Sequence, residues 1–317
     1  MIRGEYPYLG KKKMKKSFAQ EEMQCESLFR LSGPLWHLYT PENHSVILAN
    51  IEDFKAAVTL LAICAVAFPS VKVLTFQWMN NHLHIVLSGP EDDIAGLFKM
   101  LKRYLGNYLK YQERKGLLDS WDFCKRRIND LYDVRNAIAY VNRNGFLVHR
   151  NYSPFSYPWG ANRCFFNPDC SARYSESKTV LRSQRIREFF HTRDLDGFSG
   201  LRMLDGYVCP FSFCDIVSAE GMFRNASQYF YSVSRNVESM KAIAKEIGES
   251  LYYNDDELFS IVCNISREKY SVSRPAFLPA AAKVQVAREM HFDYNAGNKQ
   301  IARILKVDES LIDSFLL

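Results

Sequence analysis

Apolar and polar residues alternate in four short stretches of the N-terminal half and recur at helical spacing in the stretches between them. Leu35 to Thr40 reads as a first strand, stopped by Pro41 and Asn43. Ile51 to Phe68 reads as a largely buried helix, with Asp53 in its first turn and Pro69 beyond its end. Val71 to Met79 and His82 to Leu87 are two further strands around an Asn80-Asn81 turn. After the break at Ser88 to Asp92 a long helix runs from Asp93 to about Lys115, with Leu97, Leu101, Leu105 and Leu109 as its apolar stripe. Trp121 to Ile128 is the fourth strand. A helix from Leu131 to Asn144 follows, with Asp130 as its N-cap and Gly145 as its C-cap.

Strand, helix, strand, strand, helix, strand, helix predicts an α+β domain in which helices pack on one antiparallel sheet. On this reading residues 1–30 are a basic, mobile leader and 31–162 the α+β domain. Residues 163–180, rich in Asn, Pro and Ser, are a linker. Residues 181–317 read as an all-α accessory domain, with Tyr229, Tyr231 and Arg235 as exposed candidates. Its end has the order of a helix-turn-helix: a helix from Val284, a turn at Gly297, a helix to Leu305 and a last helix from Glu309 to Leu317. That last helix holds Glu309 and Asp313 but no Lys or Arg. Packing or self-association through Leu311, Ile312, Phe315 and Leu316 therefore competes with reading a DNA groove.

Charge adds a partner to this picture. The chain carries a formal net charge of +6, and the stretch from Phe98 to Arg127, with nine basic and three acidic residues, equals that whole excess. Lys102, Arg103, Tyr104, Tyr108 and Lys110 interleave cations with rings along one helix, and Arg126 and Arg127 end the run. Such a surface suits a single nucleic-acid strand held by phosphate contacts and base stacking; a solvated face with rim tyrosines is the competing reading. No apolar run reaches membrane-spanning length, and the basic start is not followed by an apolar segment, so a soluble cytoplasmic protein is expected. The eight cysteines are expected as reduced thiols. Cys164/Cys170 and Cys209/Cys214 lack the close spacing of common zinc ligands, which argues against a structural zinc.

The candidate chemistry lies in two places. In Asn80-Asn81-His82-Leu83-His84, strand alternation turns His82 and His84 to one face and Leu83 to the other. Two neighbouring imidazoles are most of a divalent-metal site, although a half-buried strand whose histidines are satisfied by neighbours is the plain alternative. Further on, Asn136, Tyr140 and Asn144 are each four residues apart and share one helix face. Tyr140 offers a nucleophile and Asn144 an amide oxygen that could join two imidazoles on a hard divalent cation, Mg2+ or Mn2+. Free tyrosine, with a pKa of about 10, is a poor nucleophile and needs a metal-polarised phosphate and a positive setting. A helix tyrosine packed at a domain edge is the alternative.

Together these stretches resemble the single-tyrosine transposases of the HUH superfamily, such as the REP-associated tyrosine transposases and their insertion-sequence relatives. Met79-Asn80-Asn81-His82-Leu83-His84 stands where that family has Met-Pro-Asn-His-hydrophobic-His. Tyr140-Val141-Asn142-Arg143-Asn144-Gly145 stands for Tyr-Ile-x-x-Asn-Pro, and Tyr157-Pro158-Trp159-Gly160 for Tyr-Pro-Trp-Ser. The departures at Asn80 and Gly145 are turn chemistry and touch no proposed reacting atom. The resemblance covers residues 31–162 and implies an HUH-nuclease sheet of the ferredoxin or RRM-like kind. It implies His82, His84 and Asn144 as metal ligands and Tyr140 as nucleophile. The substrate it implies is single-stranded DNA beside a hairpin, cut through a 5′-phosphotyrosyl link that leaves a free 3′-hydroxyl. The acting unit would be a monomer or homodimer. A non-catalytic regulator that binds a DNA hairpin or operator on the same fold is the alternative, but binding alone has no chemical need for all four residues.

Overall fold

Four antiparallel strands, β1 (Leu35–Tyr39), β2 (Lys72–Trp78), β3 (Leu83–Ser88) and β4 (Cys124–Ile128), form a sheet in the order β2-β3-β1-β4. The structure is a computed structural model and describes residues 17–41, 45–148, 156–181, 200–235, 253 and 255–316. A helix, α1 (Phe18–Leu31), precedes the sheet; α2 (Ile51–Ala67) joins β1 to β2, α3 (Glu91–Tyr111) joins β3 to β4, and α4 (Leu131–Val148) follows. Two βαβ units sharing one sheet in this order are the split βαβ arrangement, so the expected α+β class holds.

The register sorts the side chains onto two faces. Tyr39 and Gln77 flank His84, while His37 lies opposite Val86 on one side and Arg126 on the other. These residues, with Thr75, share one face. Leu38, Phe76, Trp78, Leu83, Ile85 and Leu87 point to the other and lie in the core. α3 covers that apolar face: its Phe98 and the Trp78 ring of β2 both lie against Trp121, with centroids 4.8 and 6.2 Å apart. α4 covers the polar face.

Several boundaries differ from the sequence expectation. α3 starts at Glu91 and stops at Tyr111, because Glu113 and Gly116 take positive φ (59° and 88°) in the turn that follows. Asp130 does cap α4, accepting a bond from the Asp133 amide at 2.7 Å, but the helix runs through Gly145 to Val148, so Gly145 is no cap. Residues 18–30 are not a mobile leader. Ser17 and Gln20 form a capping box at the start of α1. Arg135 of α4 donates two bonds, of 2.7 and 3.0 Å, to Glu22 of α1. The lysine-rich residues 11–16 lie outside the described residues.

Nor are residues 163–180 a linker. Asn162–Cys164 is a 3-10 turn, and α5 (Pro168–Glu176) starts on an Asn167 cap with Pro168 in its first turn. Just before, the Trp78 amide donates to Trp159 O at 2.9 Å and the Ala161 amide to Phe76 O at 3.0 Å, so residues 159–161 run along the outer edge of β2. Gly160 permits this approach: a Cβ there would stand 2.9 Å from Phe76 O. A small hairpin follows, β5 (Met203–Leu204) and β6 (Tyr207–Val208), turning on Asp205-Gly206, both at positive φ (55° and 87°) as a two-residue hairpin loop requires. Arg163 ties the two pieces together, donating to Tyr207 Oη at 2.5 Å and to Asp205 at 2.7 Å. The thiols of Cys164, Cys170 and Cys209 come within 4.8 Å of one another, against the spacing argument, because the hairpin folds back over the 3-10 turn.

Apart from this hairpin the described C-terminal half is helical: α6 (Ile216–Gly221), α7 (Ala226–Arg235), α8 (Asp255–Tyr270), α9 (Ala280–Phe292), α10 (Asn298–Leu305) and α11 (Ile312–Leu316). Tyr231 is exposed as expected; Tyr229 is fully buried instead. No described helix is long and apolar enough to cross a membrane.

Candidate functional site

β3 is hydrogen-bonded on both sides, so His84 is held at the middle of the sheet, completely buried, and His82 precedes it at the strand's start. Their rings meet edge to face with centroids 5.1 Å apart. Asn81 Oδ1 lies 2.7 Å from His82 Nδ1; a carbonyl oxygen only accepts, so the proton is on Nδ1 and the lone pair on Nε2.

The sequence reading missed a third imidazole. His37 of β1 is wholly buried, with Nε2 3.2 Å from His84 Nδ1. Burial holds it well below the usual histidine range, with the positive Arg126 adding, so it stays neutral. Its place in Leu35-Trp36-His37-Leu38-Tyr39 was the available signal, since alternation turns His37 and Tyr39 to the face of His84 once β1 pairs with β3.

α4 supplies the other half. Tyr140, 1% exposed, sets its ring edge on to His84 and to His37, with centroids 5.6 and 6.0 Å apart. One turn on, Asn144 Nδ2 lies 3.4 Å from His84 Nε2. An amide NH2 only donates, so His84 keeps its lone pair on Nε2 and its proton on Nδ1. That proton points to His37 Nε2. His37 must then carry its own proton on Nδ1, a buried atom with no hydrogen-bond partner among the described residues. The assignment follows from the hydrogen-bond network. It leaves the His84 Nε2 lone pair beside the Asn144 amide, whose oxygen half a turn would present, and the His82 Nε2 lone pair on the neighbouring ring. This donor set fits a divalent cation.

α4 is fixed by residues between these. Asn142 accepts from Thr75 Oγ1 at 2.5 Å, donates to Tyr229 Oη at 2.8 Å, and its carbonyl accepts from Asn162 Nδ2 at 3.0 Å; Tyr229 in turn donates to Asn162. Arg143, wholly buried, is ion-paired with Glu257 of α8.

The basic residues do not form one strip. Lys102, Arg103 and Lys110 line a cleft of about 550 Å3 on α3 with Arg114 and Lys115, on the sheet face away from the histidines. Tyr104 lies beside it under the Arg103 guanidinium, 4.9 Å from its ring centre. Tyr108 turns inward, 8% exposed, donating its hydroxyl to Asp53 Oδ1 at 3.0 Å, and offers no stacking surface. β4 splits its cations between the faces. Arg126 points to the histidine side and pairs with Asp133 at 2.8 Å, whereas Arg127 and Lys125 lie over the Trp36 ring at 4.7 and 5.7 Å. We expect Lys102→Ala with Arg103→Ala to flatten the salt dependence of single-strand DNA binding by about 1.4 in log K against log salt, two phosphate contacts at about 0.7 each. Arg126→Ala should leave that slope unchanged, as binding titrations over a salt series would report.

No protein-family model, no curated protein and no solved structure matches this chain.

Proposed function

We propose that the protein is a metal-dependent single-stranded DNA endonuclease and strand transferase, of the kind the HUH single-tyrosine transposases represent, with Tyr140 as nucleophile. The observation that carries this reading is the convergence of His82, His84, Asn144 and Tyr140 on one face of the sheet, with ring nitrogens oriented by Asn81 and His37. His82 and His84 through Nε2, and Asn144 through its amide oxygen, would hold Mg2+ or Mn2+. When bound, such an ion supplies Lewis-acid polarisation of the scissile phosphate. The Tyr140 hydroxyl gives its proton to water as its oxygen attacks phosphorus, the P–O bond to the phenolic oxygen forms, and the P–O3′ bond breaks. The 3′-oxygen leaves and takes up a proton from water, giving a 5′-phosphotyrosyl link and a free 3′-hydroxyl. A second strand's 3′-hydroxyl can reverse the step and complete transfer.

The DNA strand on this reading runs from the α3 cleft around the β4 edge, past Lys125, Trp36 and Arg127, to the histidine face. A hairpin beside the cleavage point, a monomer or homodimer as the acting unit, and groove reading by the C-terminal helices belong to the same proposal. The last of these is opposed by α11, whose Asp313 is bonded to Asn298 of α10 at 2.7 Å.

A second reading has one observation in its favour. His84 and Tyr140 are closed off, 0 and 1% exposed, as a purely structural polar cluster under a DNA-hairpin or operator-binding regulator would be. A catalyst needs the cover over Tyr140 to move when DNA binds. The two readings part on metal. His82→Ala, or a chelator added to the native protein, should abolish cleavage of labelled hairpin DNA and leave most of the affinity, because phosphate contacts dominate binding. Cleavage that persists in the chelator would sink the metal site, and a protein that binds with no cleavage at all under Mg2+ and Mn2+ would favour the regulator.

A further inference from the structure

We propose that Cys164, Cys170 and Cys209 hold a structural Zn2+ ion, apart from the histidine face. Zinc–thiolate bonds of about 2.3 Å in a tetrahedron set neighbouring sulfurs about 3.8 Å apart. Here the Cys164 and Cys170 sulfurs are 3.6 Å apart and all three thiols lie within 4.8 Å, so the cage already has the size of the ion's coordination sphere. All three are buried, as ligands of a closed structural site are. Cys214, buried and acted on by Cys209, lies outside this cluster of three, and a shift of its side chain would bring its thiol to the fourth corner.

The surroundings fit a negatively charged centre. Four thiolates and one Zn2+ carry a net charge of −2, and the neighbouring Arg163 guanidinium, which acts on Cys164 and Cys170, offsets part of it. The local chain also needs such a clip. Residues 156–181 and 200–215 contain two-residue strands, 3-10 turns and one nine-residue helix, with little regular hydrogen bonding of their own. Small units of this kind are commonly held by a metal. The ion would join the segment that edges β2 to the hairpin that returns to it. It would thereby brace Asn162, which bonds Asn142 of the site helix.

The experiment uses the full chain, purified without chelator. We expect one thiol-bound zinc per chain by elemental analysis. Replacement by Co2+ should give the near-ultraviolet sulfur-to-metal charge-transfer band that only thiolate ligation produces, so any metal on the histidines is not read. Cys170→Ser should lose that band, Cys214→Ser should weaken it, and Cys263→Ser and His82→Ala should keep it in full. A chain that neither contains zinc nor takes up Co2+ with a charge-transfer band overturns the proposal. So does an intact mass showing a Cys164–Cys170 disulfide, or an unchanged band in Cys170→Ser. The wild-type Co2+ spectrum reads the site even if a variant fails to fold.

Discussion

Tyr140→Phe should form no covalent adduct with DNA. The substitution removes the one oxygen that can bond phosphorus and keeps the ring that packs against His84 and His37. Its cost in stability should be small, about 1 kcal/mol, the usual net contribution of a buried hydroxyl. Binding of DNA should be nearly unchanged. The control is chosen by where the other tyrosines stand. Tyr108 is committed to Asp53, and Tyr104 and Tyr111 stand on α3, across the sheet from the histidines. Tyr39 is the real competitor: it pairs directly opposite His84 and lies nearly parallel to it, with centroids 6.4 Å apart. A denaturing gel of labelled single-stranded DNA with Tyr140→Phe and Tyr39→Phe side by side decides the matter. An adduct that survives in the first and vanishes in the second would move the nucleophile to β1.

The largest loss of stability is expected at Glu257→Ala. Arg143 is wholly buried, and its Nε and Nη1 have no hydrogen-bond partner among the described residues, so Glu257 is the group that compensates its charge. Removing the carboxylate strands a guanidinium in the core, which costs about 3–5 kcal/mol. Replacing both, Arg143→Met with Glu257→Leu, should recover most of it, because desolvation of the ion pair offsets much of its attraction. Urea unfolding of the two variants checks the pair; a single variant as stable as wild type would mean that the charge is compensated elsewhere. Arg143 immediately precedes Asn144, so Glu257→Ala should also weaken metal-dependent cleavage, whereas the double variant should restore it.

Much of the sheet was legible because strand and helix leave different periods. The strand expected from Leu35 to Thr40 and the pair around Asn80-Asn81 were found within a residue or two at each end. His82 and His84 were visible because a His-x-His spacing is itself a pattern. His37 was not, because a lone histidine in an apolar strand gains meaning only when pairing sets it beside His84. The ion pair of Arg143 and the cysteine cluster were hidden for the same reason, being made by contacts distant in sequence. The mistaken linker has another cause: Asn167 and Pro168 end one element and start the next, and composition alone does not separate a helix cap from an irregular segment. Gly145 is the converse case, a residue that looked like a stop and lies inside a helix.

The two margins of the sheet are not equivalent. Along β2 the outer row of backbone groups is met by residues 159–161, whereas no described strand pairs with the outer row of β4. An open margin invites a second copy to add its own strand, the first step of a continuous intermolecular sheet. Lys125 and Arg126 are paired with Glu91 and Asp133, but the addition would bring the exposed Arg127 against the cations of the neighbour's β4, and like charges placed across a strand pair repel. The margin is thus guarded against its own kind by charge, where β2 is guarded by a covering segment.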